Sequence, residues 1–249
     1  MNLSEATWTD VRETTPEIAL VPVGSTEQHG PHAPLGTDAT AAAAVAEAAD
    51  DRLDETDPTA VVAPPVHVGV SEEHRAFDGT LWVSPETFRA YVRETVESLA
   101  SHGVSRTVLV NGHGGNVEAL AETARRLSRS ETGPYTVAFT WFEAVGEHAS
   151  DMGHAGPLET ALLRHVAPGL VREDRVETAA ADAADGWGEW VRGVNLAHDS
   201  HEFTDNGVVG DPREGDADRG GELLSTASEA LVDVVRAVCE RDRSESADP

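Results

Sequence analysis

The chain has 249 residues, enough to bury the core of one α/β domain or at most two small ones. Its formal net charge is -27, all 18 basic residues are arginine, and Cys239 is the single cysteine. These numbers speak against nucleic-acid binding, which needs a basic patch, and against an internal disulfide or a cysteine-rich zinc site.

The acids are scattered through every segment, so we read them as a whole-surface adaptation to concentrated salt rather than a docking face for a basic partner. No segment repeats at a fixed period. The opening MNLSEATWTDVRE is polar and lacks the apolar stretch of a signal peptide, and no apolar run is long enough to span a bilayer. A cytoplasmic protein with no membrane partner is expected.

In chain order, IALVPVG (18–24) reads as a buried strand that runs into VPVGSTEQHGPHAPLGTD (21–38). That loop holds Glu27, His29, His32 and Asp38 among glycines and prolines that forbid a regular helix. Glu27 and His29 are two apart and share a side of an extended segment. Glu, His and Asp together suit a divalent ion such as Zn, Mn or Fe(II).

The alanine-rich run 39–50 predicts a helix with Thr37 or Asp38 at its start. AVVAPPV (60–66) is a second strand, its prolines confined to an edge or to the end. The loop HVGVSEEHRAFDGT follows, with His67, His74 and Asp78; His74 and Asp78 are candidate substrate contacts. Residues 84–101 predict an amphipathic helix capped by Ser84, with Pro85 first and Phe88, Tyr91, Val92, Val96 and Leu99 on one face. RTVLV (106–110) is a third strand that delivers NGHGGN (111–116), with Asn116 capping a helix to about Leu127.

YTVAFT (135–140) is a fourth strand ending at Trp141, a candidate substrate platform. DMGHAGPLET (151–160) leads into a helix through Ala167 and places His154 and Glu159 at its start, either as a capping arrangement or, entering one pocket, as catalytic proton carrier and metal ligand. Residues 171–190 carry no clear pattern. The H-x-x-H pair His198 and His201 has no third partner in the sequence. NGVVGDPREGDAD (206–218) precedes a last helix to about Arg241, and the acidic tail 242–249 is expected to be disordered.

Alternating strands and helices predict a single domain over 1–241, a three-layer α/β/α sandwich with a mainly parallel central sheet. Ligands of such sheets bind beyond the carboxyl ends of the strands. Glu27, His74, His113 and Trp141 each follow a strand and so fall at that one end.

Together VPVGSTEQHGPHAPLGTD, NGHGGN, HAGPLET and NGVVGDP resemble the creatininase family of metal-dependent amidohydrolases over about residues 6–240. The resemblance implies an α/β/α fold, two divalent metal ions per subunit and assembly into homo-oligomers such as hexamers. It carries Glu27, His29, Asp38 and His113 over as metal ligands, with Asp38 as the bridge. Creatinine-hydrolysing members have a ligand glutamate two residues after the motif histidine. Here that position is Gly115, which turns the fifth-ligand role toward Glu159 and counts against creatinine.

The implied chemistry is hydrolysis of a small-molecule amide or formamide by activated water, with His154 passing a proton to the departing nitrogen. No GxSxG elbow supports an acyl-enzyme. Among family substrates, the expected one is a formylaminopyrimidine nucleotide of riboflavin and deazaflavin synthesis, ahead of a mycofactocin-type peptide and of creatinine. A metal-binding scaffold that had lost catalysis would lack one of Glu27, His29, Asp38, His113 or His154, and all are present.

Overall fold

Four short apolar segments pair in parallel: β1 (Ile18–Val23), β2 (Ala60–Val62), β3 (Arg106–Asn111) and β4 (Tyr135–Thr140), in the order β2-β1-β3-β4. The computed structural model describes residues 1–241; the tail 242–249 lies outside them. Side chains alternate across the sheet. Ile18, Leu20, Val108 and Val110 enter one core with α2 (Thr37–Asp50), α5 (Pro157–Val166) and α7 (Ala217–Glu240). Ala19, Val21 and Leu109 enter the other with α3 (Pro85–Ala100) and α4 (Val117–Arg129). Both faces are covered, which gives the three layers and explains why the strands read as continuous apolar runs.

The remaining helices are α1 (Trp8–Thr14) and α6 (Val176–Ala181), and a small antiparallel hairpin joins β5 (Trp190–Val191) to β6 (Val194–Asn195). α6 lies within residues 171–190, where the sequence showed no pattern, and the hairpin, which was not predicted, begins at the end of that region. Ser84 caps α3 as expected, its side chain accepting from Thr87 N–H.

Three local expectations change. β2 stops at Val62 because Pro64 and Pro65 offer no ladder N–H, although Val66 resumes a bridge to Val23. Tyr91 is exposed, since the buried stripe of α3 is the narrower Phe88, Val92, Val96. Asn116 precedes α4 without capping it: its Oδ1 accepts from Val70 N–H and its Nδ2 donates to Gly24 O. It pins three loops of the strand-end surface instead. No helix among the described residues is long and apolar enough to cross a membrane.

Candidate active site

The chain leaves β1 for β2 on one side and returns to β3 on the other, so the sheet has its switch point between β1 and β3. That is where an open α/β sheet leaves a crevice. The loop after β1 folds back on itself through Glu27 N–H to Leu35 O and a bridge between His29 and Ala33. It thereby turns Glu27 and His29 inward and hands Asp38 to the first turn of α2, where the helix dipole favours an anion. From β3 comes His113, its N–H held by Asn111 Oδ1 and its carbonyl by Asn111 Nδ2. His154 and Glu159 arrive at the start of α5.

These residues form one buried cluster. His29 Nε2 lies 3.0 Å from Asp38 Oδ1 and 3.7 Å from Glu159 Oε1. His113 Nδ1 lies 3.1 Å from Glu27 Oε1 and 3.4 Å from Asp38 Oδ2. His154 Nδ1 is 3.7 Å, and His74 Nε2 3.5 Å, from Glu27 Oε1. The ligand atoms of Glu27, Asp38 and His113 lie within 4.8 Å of one another, as do those of His29, Asp38 and Glu159, and Asp38 belongs to both groups. Glu27, His29 and His154 form a third.

Backbone carbonyls decide which ring nitrogens face inward. A carbonyl only accepts, so His29 Nδ1, His113 Nε2 and His154 Nε2 must donate to Glu27 O, Val70 O and Gln28 O at 3.2, 2.7 and 2.6 Å. The opposite nitrogens, His29 Nε2, His113 Nδ1 and His154 Nδ1, are left to face the carboxylates. Outer-sphere carbonyls fix metal-binding imidazoles in this way.

The donors fit a divalent cation. Both Glu27 oxygens, Asp38 Oδ2 and His29 Nε2 are buried with no hydrogen-bond partner, although their neighbours are close. Groups so near yet misaligned for hydrogen bonding are arranged as ligands of a common centre, and buried carboxylates need such compensation. Burial pushes the Glu27 carboxyl up to about 7, with Asp38 adding to the rise against His113. Burial alone would lower His29, but Asp38 and Glu159 hold it well above its usual value; Glu27 does the same for buried His113. Glu159 is held low: burial opposes this, but His29 beside it wins. These shifts favour added positive charge here, carried by protons or by a cation. Burial keeps His154 neutral, pushed down to about 3.

A cavity of about 530 Å³ opens onto the cluster, lined by Glu73, His74, His113, His154, Glu159 and Trp187 among others, with no arginine among the described residues of its wall. His74 therefore stands where a substrate contact was expected. Asp78 and Trp141 do not. Asp78 is exposed on the loop and is not among the lining residues. Trp141 is fully buried in the core against Phe142, because the chain turns its ring under the sheet edge as β4 ends. Trp187 supplies an aromatic wall instead, edge-on to His74 at 5.5 Å and to His154 at 6.0 Å. The DGWGEW stretch that carries it was the only hint in the sequence.

His32 turns away from the cluster and bonds Thr160 Oγ1 through Nε2 at 2.9 Å. His67 and His201 are exposed; His198 lines the cavity, and neither His198 nor His201 joins a ligand group among the described residues. Gly115 has a neighbour the sequence did not reveal. A Cβ there would stand 2.6 Å from Glu73 Oε1, whose carboxylate lies 3.5 Å from His113 Nε2, behind the ring rather than on its inward side. Glu159, not Glu73, reaches an inward nitrogen, His29 Nε2.

The family model described as creatinine amidohydrolase matches residues 4–235. The chain is 38% identical over 228 residues to the mycofactocin precursor peptide peptidase of Mycobacterium ulcerans (strain Agy99), covering 90% of this chain and 86% of that one. It is 28% identical to the creatinine amidohydrolase of Pseudomonas putida over 181 residues, covering 64% of this chain and 68% of that one. A solved creatinine amidohydrolase shares the fold with a TM-score of 0.77 at 23% identity, over 97% of this chain and 98% of that one. Solved creatininases include a Zn-Zn type and a Mn form.

Proposed function

The chain belongs to the creatininase family, and from that membership we propose that it hydrolyses a carbon–nitrogen amide bond at a two-metal centre. Glu27, Asp38 and His113 would hold one ion and His29, Asp38 and Glu159 the other, with Asp38 as the bridge. The observation that carries this reading is the pair of ligand groups sharing Asp38, with their acceptors buried and unpaired, at the floor of an open cavity. Zn, Mn and Fe(II) all suit this oxygen and nitrogen set. Held there, divalent ions supply the Lewis acidity that makes water nucleophilic near neutral pH and polarises a carbonyl oxygen.

The protein's own groups handle the proton. His154 is neutral, keeps its Nε2 proton on Gln28 O and presents a lone pair at Nδ1. It takes a proton from the attacking water and returns it to the nitrogen as the C–N bond breaks, releasing acid and amine. Glu159 supports this step through Oε2, which accepts Ala155 N–H at 2.6 Å and fixes the turn that carries His154.

A peptide amide suits the cavity best. The similarity to a peptide peptidase covers most of both chains. Among the described residues the wall offers the carboxylates of Glu73 and Glu159 and no arginine to grip a nucleotide phosphate. The formylaminopyrimidine nucleotide stands second, favoured by Trp187 and Phe142, which suit a flat heterocycle. Homo-oligomeric assembly belongs to the same proposal, supported by exposed Leu81, Trp82 and Tyr91, and sedimentation in concentrated KCl would test it.

The deciding assay uses protein purified in concentrated KCl and reloaded separately with Zn, Mn or Fe(II). Amine release from a panel of peptide amides is measured beside formate release from the formylaminopyrimidine nucleotide. Peptide turnover abolished by Glu27→Ala is the expected result. Formate release alone would reverse the order of the two substrates, and metal-loaded protein inert toward both would reject both.

A further inference from the structure

Four imidazoles meet in the cluster, and three of them, His29, His113 and His154, turn inward a nitrogen that can bind a cation. His74 does the opposite, and the reason lies in Gln28. Gln28 Oε1 accepts Gly30 N–H at 2.9 Å, and its Nε2 donates to Gly207 O at 3.0 Å, which fixes the orientation of the amide. The second Nε2 hydrogen points at His74 Nδ1, 2.9 Å away. An amide nitrogen only donates, so Nδ1 must accept, and the ring proton sits on Nε2. Ser200 Oγ lies 3.0 Å from the same Nδ1 and 3.0 Å from Glu73 O, so its single hydrogen is shared between two acceptors, and the Gln28 amide is the donor that fixes the tautomer.

The cradle is built for that amide. Gly207 has φ +82°, and a Cβ there would fall 1.9 Å from Gln28 Oε1. His74 Nε2–H consequently points at the cluster from 3.5 Å off Glu27 Oε1. The ring stacks on His154 at 4.3 Å between centroids, with Trp187 against its edge. His74 appears in none of the ligand groups among the described residues.

We propose that His74 is a catalytic hydrogen-bond donor and not a metal ligand: its Nε2–H holds the substrate's carbonyl oxygen and strengthens that bond as the oxygen becomes an oxyanion. The proton stays on Nε2 throughout, and no bond to His74 is made or broken. The stacked pair thus divides the work, with His154 accepting at Nδ1 and His74 donating at Nε2. A preorganised donor aimed at developing charge is among the larger single contributions an active site makes. The inference rests on the amide-hydrolase reading for its substrate, but the tautomer rests on Gln28 alone.

Two measurements test it. Protein with nitrogen-15 histidine is loaded with cadmium-113 and read by NMR. Scalar couplings from cadmium to His29 Nε2 and His113 Nδ1 are expected, with His74 uncoupled and protonated on Nε2. A coupling to His74, or a proton on its Nδ1, overturns the proposal. Missing couplings at His29 and His113 would instead defeat the metal-centre reading, while the His74 proton remains visible.

Zinc-loaded wild type and His74→Phe are then titrated with methylphosphonate, a tetrahedral oxyanion, by phosphorus NMR. Losing the N–H should weaken binding roughly 10–100-fold, the range for a hydrogen bond to a charged acceptor. Zinc content should not change, and His74→Gln should recover part of the affinity. Equal affinity in wild type and His74→Phe, no binding by wild type, or zinc loss in His74→Phe overturns it.

Discussion

Asp38 faces His29 with one oxygen and His113 with the other, so it stands between two imidazoles that come from different strands' ends. Asp38→Ala should strip the protein of bound metal, measured by elemental analysis, while circular dichroism stays native. Retained metal and activity would remove Asp38 as the bridge. Metal uptake must also displace protons. With Glu27 raised to about 7 by burial, apparent metal affinity should fall as pH drops below 7, with proton release on titration in a weakly buffered solution. Affinity that is flat between pH 6 and 8, values chosen to bracket about 7, would contradict that assignment.

His32 titrates in the opposite setting, away from the ligands. Burial, with His29 and Arg164 adding to it, lowers it to about 4. Unfolded, it binds a proton near its ordinary value of about 6.5, so between the two values the unfolded chain holds more protons. Its contribution to stability is therefore complete above about 6.5 and is lost as pH falls toward 4. In metal-stripped protein, His32→Asn should flatten the acid limb of the Tm–pH curve. An unchanged limb would show that His32 is not the group responsible.

At the scale of elements, Asn116 joins loops that follow β1, β2 and β3. Asn116→Ala would leave the Val70 N–H without its partner and cost about 1–3 kcal/mol, readable by urea unfolding. A loss within error would mean that water replaces the bond. Asn116 also shows where sequence reading stops. The four strands of the parallel sheet, the α3 cap and the start of α2 are written in neighbouring residues and were legible; the short β5–β6 hairpin was not. What Asn116 does with its side chain depends on Gly24 and Val70, far away in the chain, so local capping rules misassign it. Trp141 was misplaced for the same reason: a residue can end a strand at the right edge and still face the core. Glu27, His29, Asp38, His113, His154 and Glu159 were legible because each follows a strand or opens a helix near the switch point. Trp187 was not, since its loop reaches the cavity only through tertiary packing, and Glu73, although next to His74 in the loop after β2, had no cue of its own.

Across the whole molecule, a charge of -27 with acids on every segment sets up self-repulsion that salt screens within about 8–10 Å at physiological strength and far more closely near molar salt. Tm should therefore climb steeply from dilute buffer into concentrated KCl, as seen by scanning calorimetry. A Tm independent of KCl would detach the composition from salt adaptation.

The parallel order β2-β1-β3-β4 has one more outcome. Its centre gathers side chains from positions 27 to 159, and Cys239 has no cysteine partner with which to tie such distant loops covalently. An ion bound at the candidate metal site would do that job as a removable staple, closing long loops in the native state alone and stabilising it increasingly with free metal. The working lifetime of this protein would thereby be tied to metal supply: a chelator should shorten it even when no substrate is present.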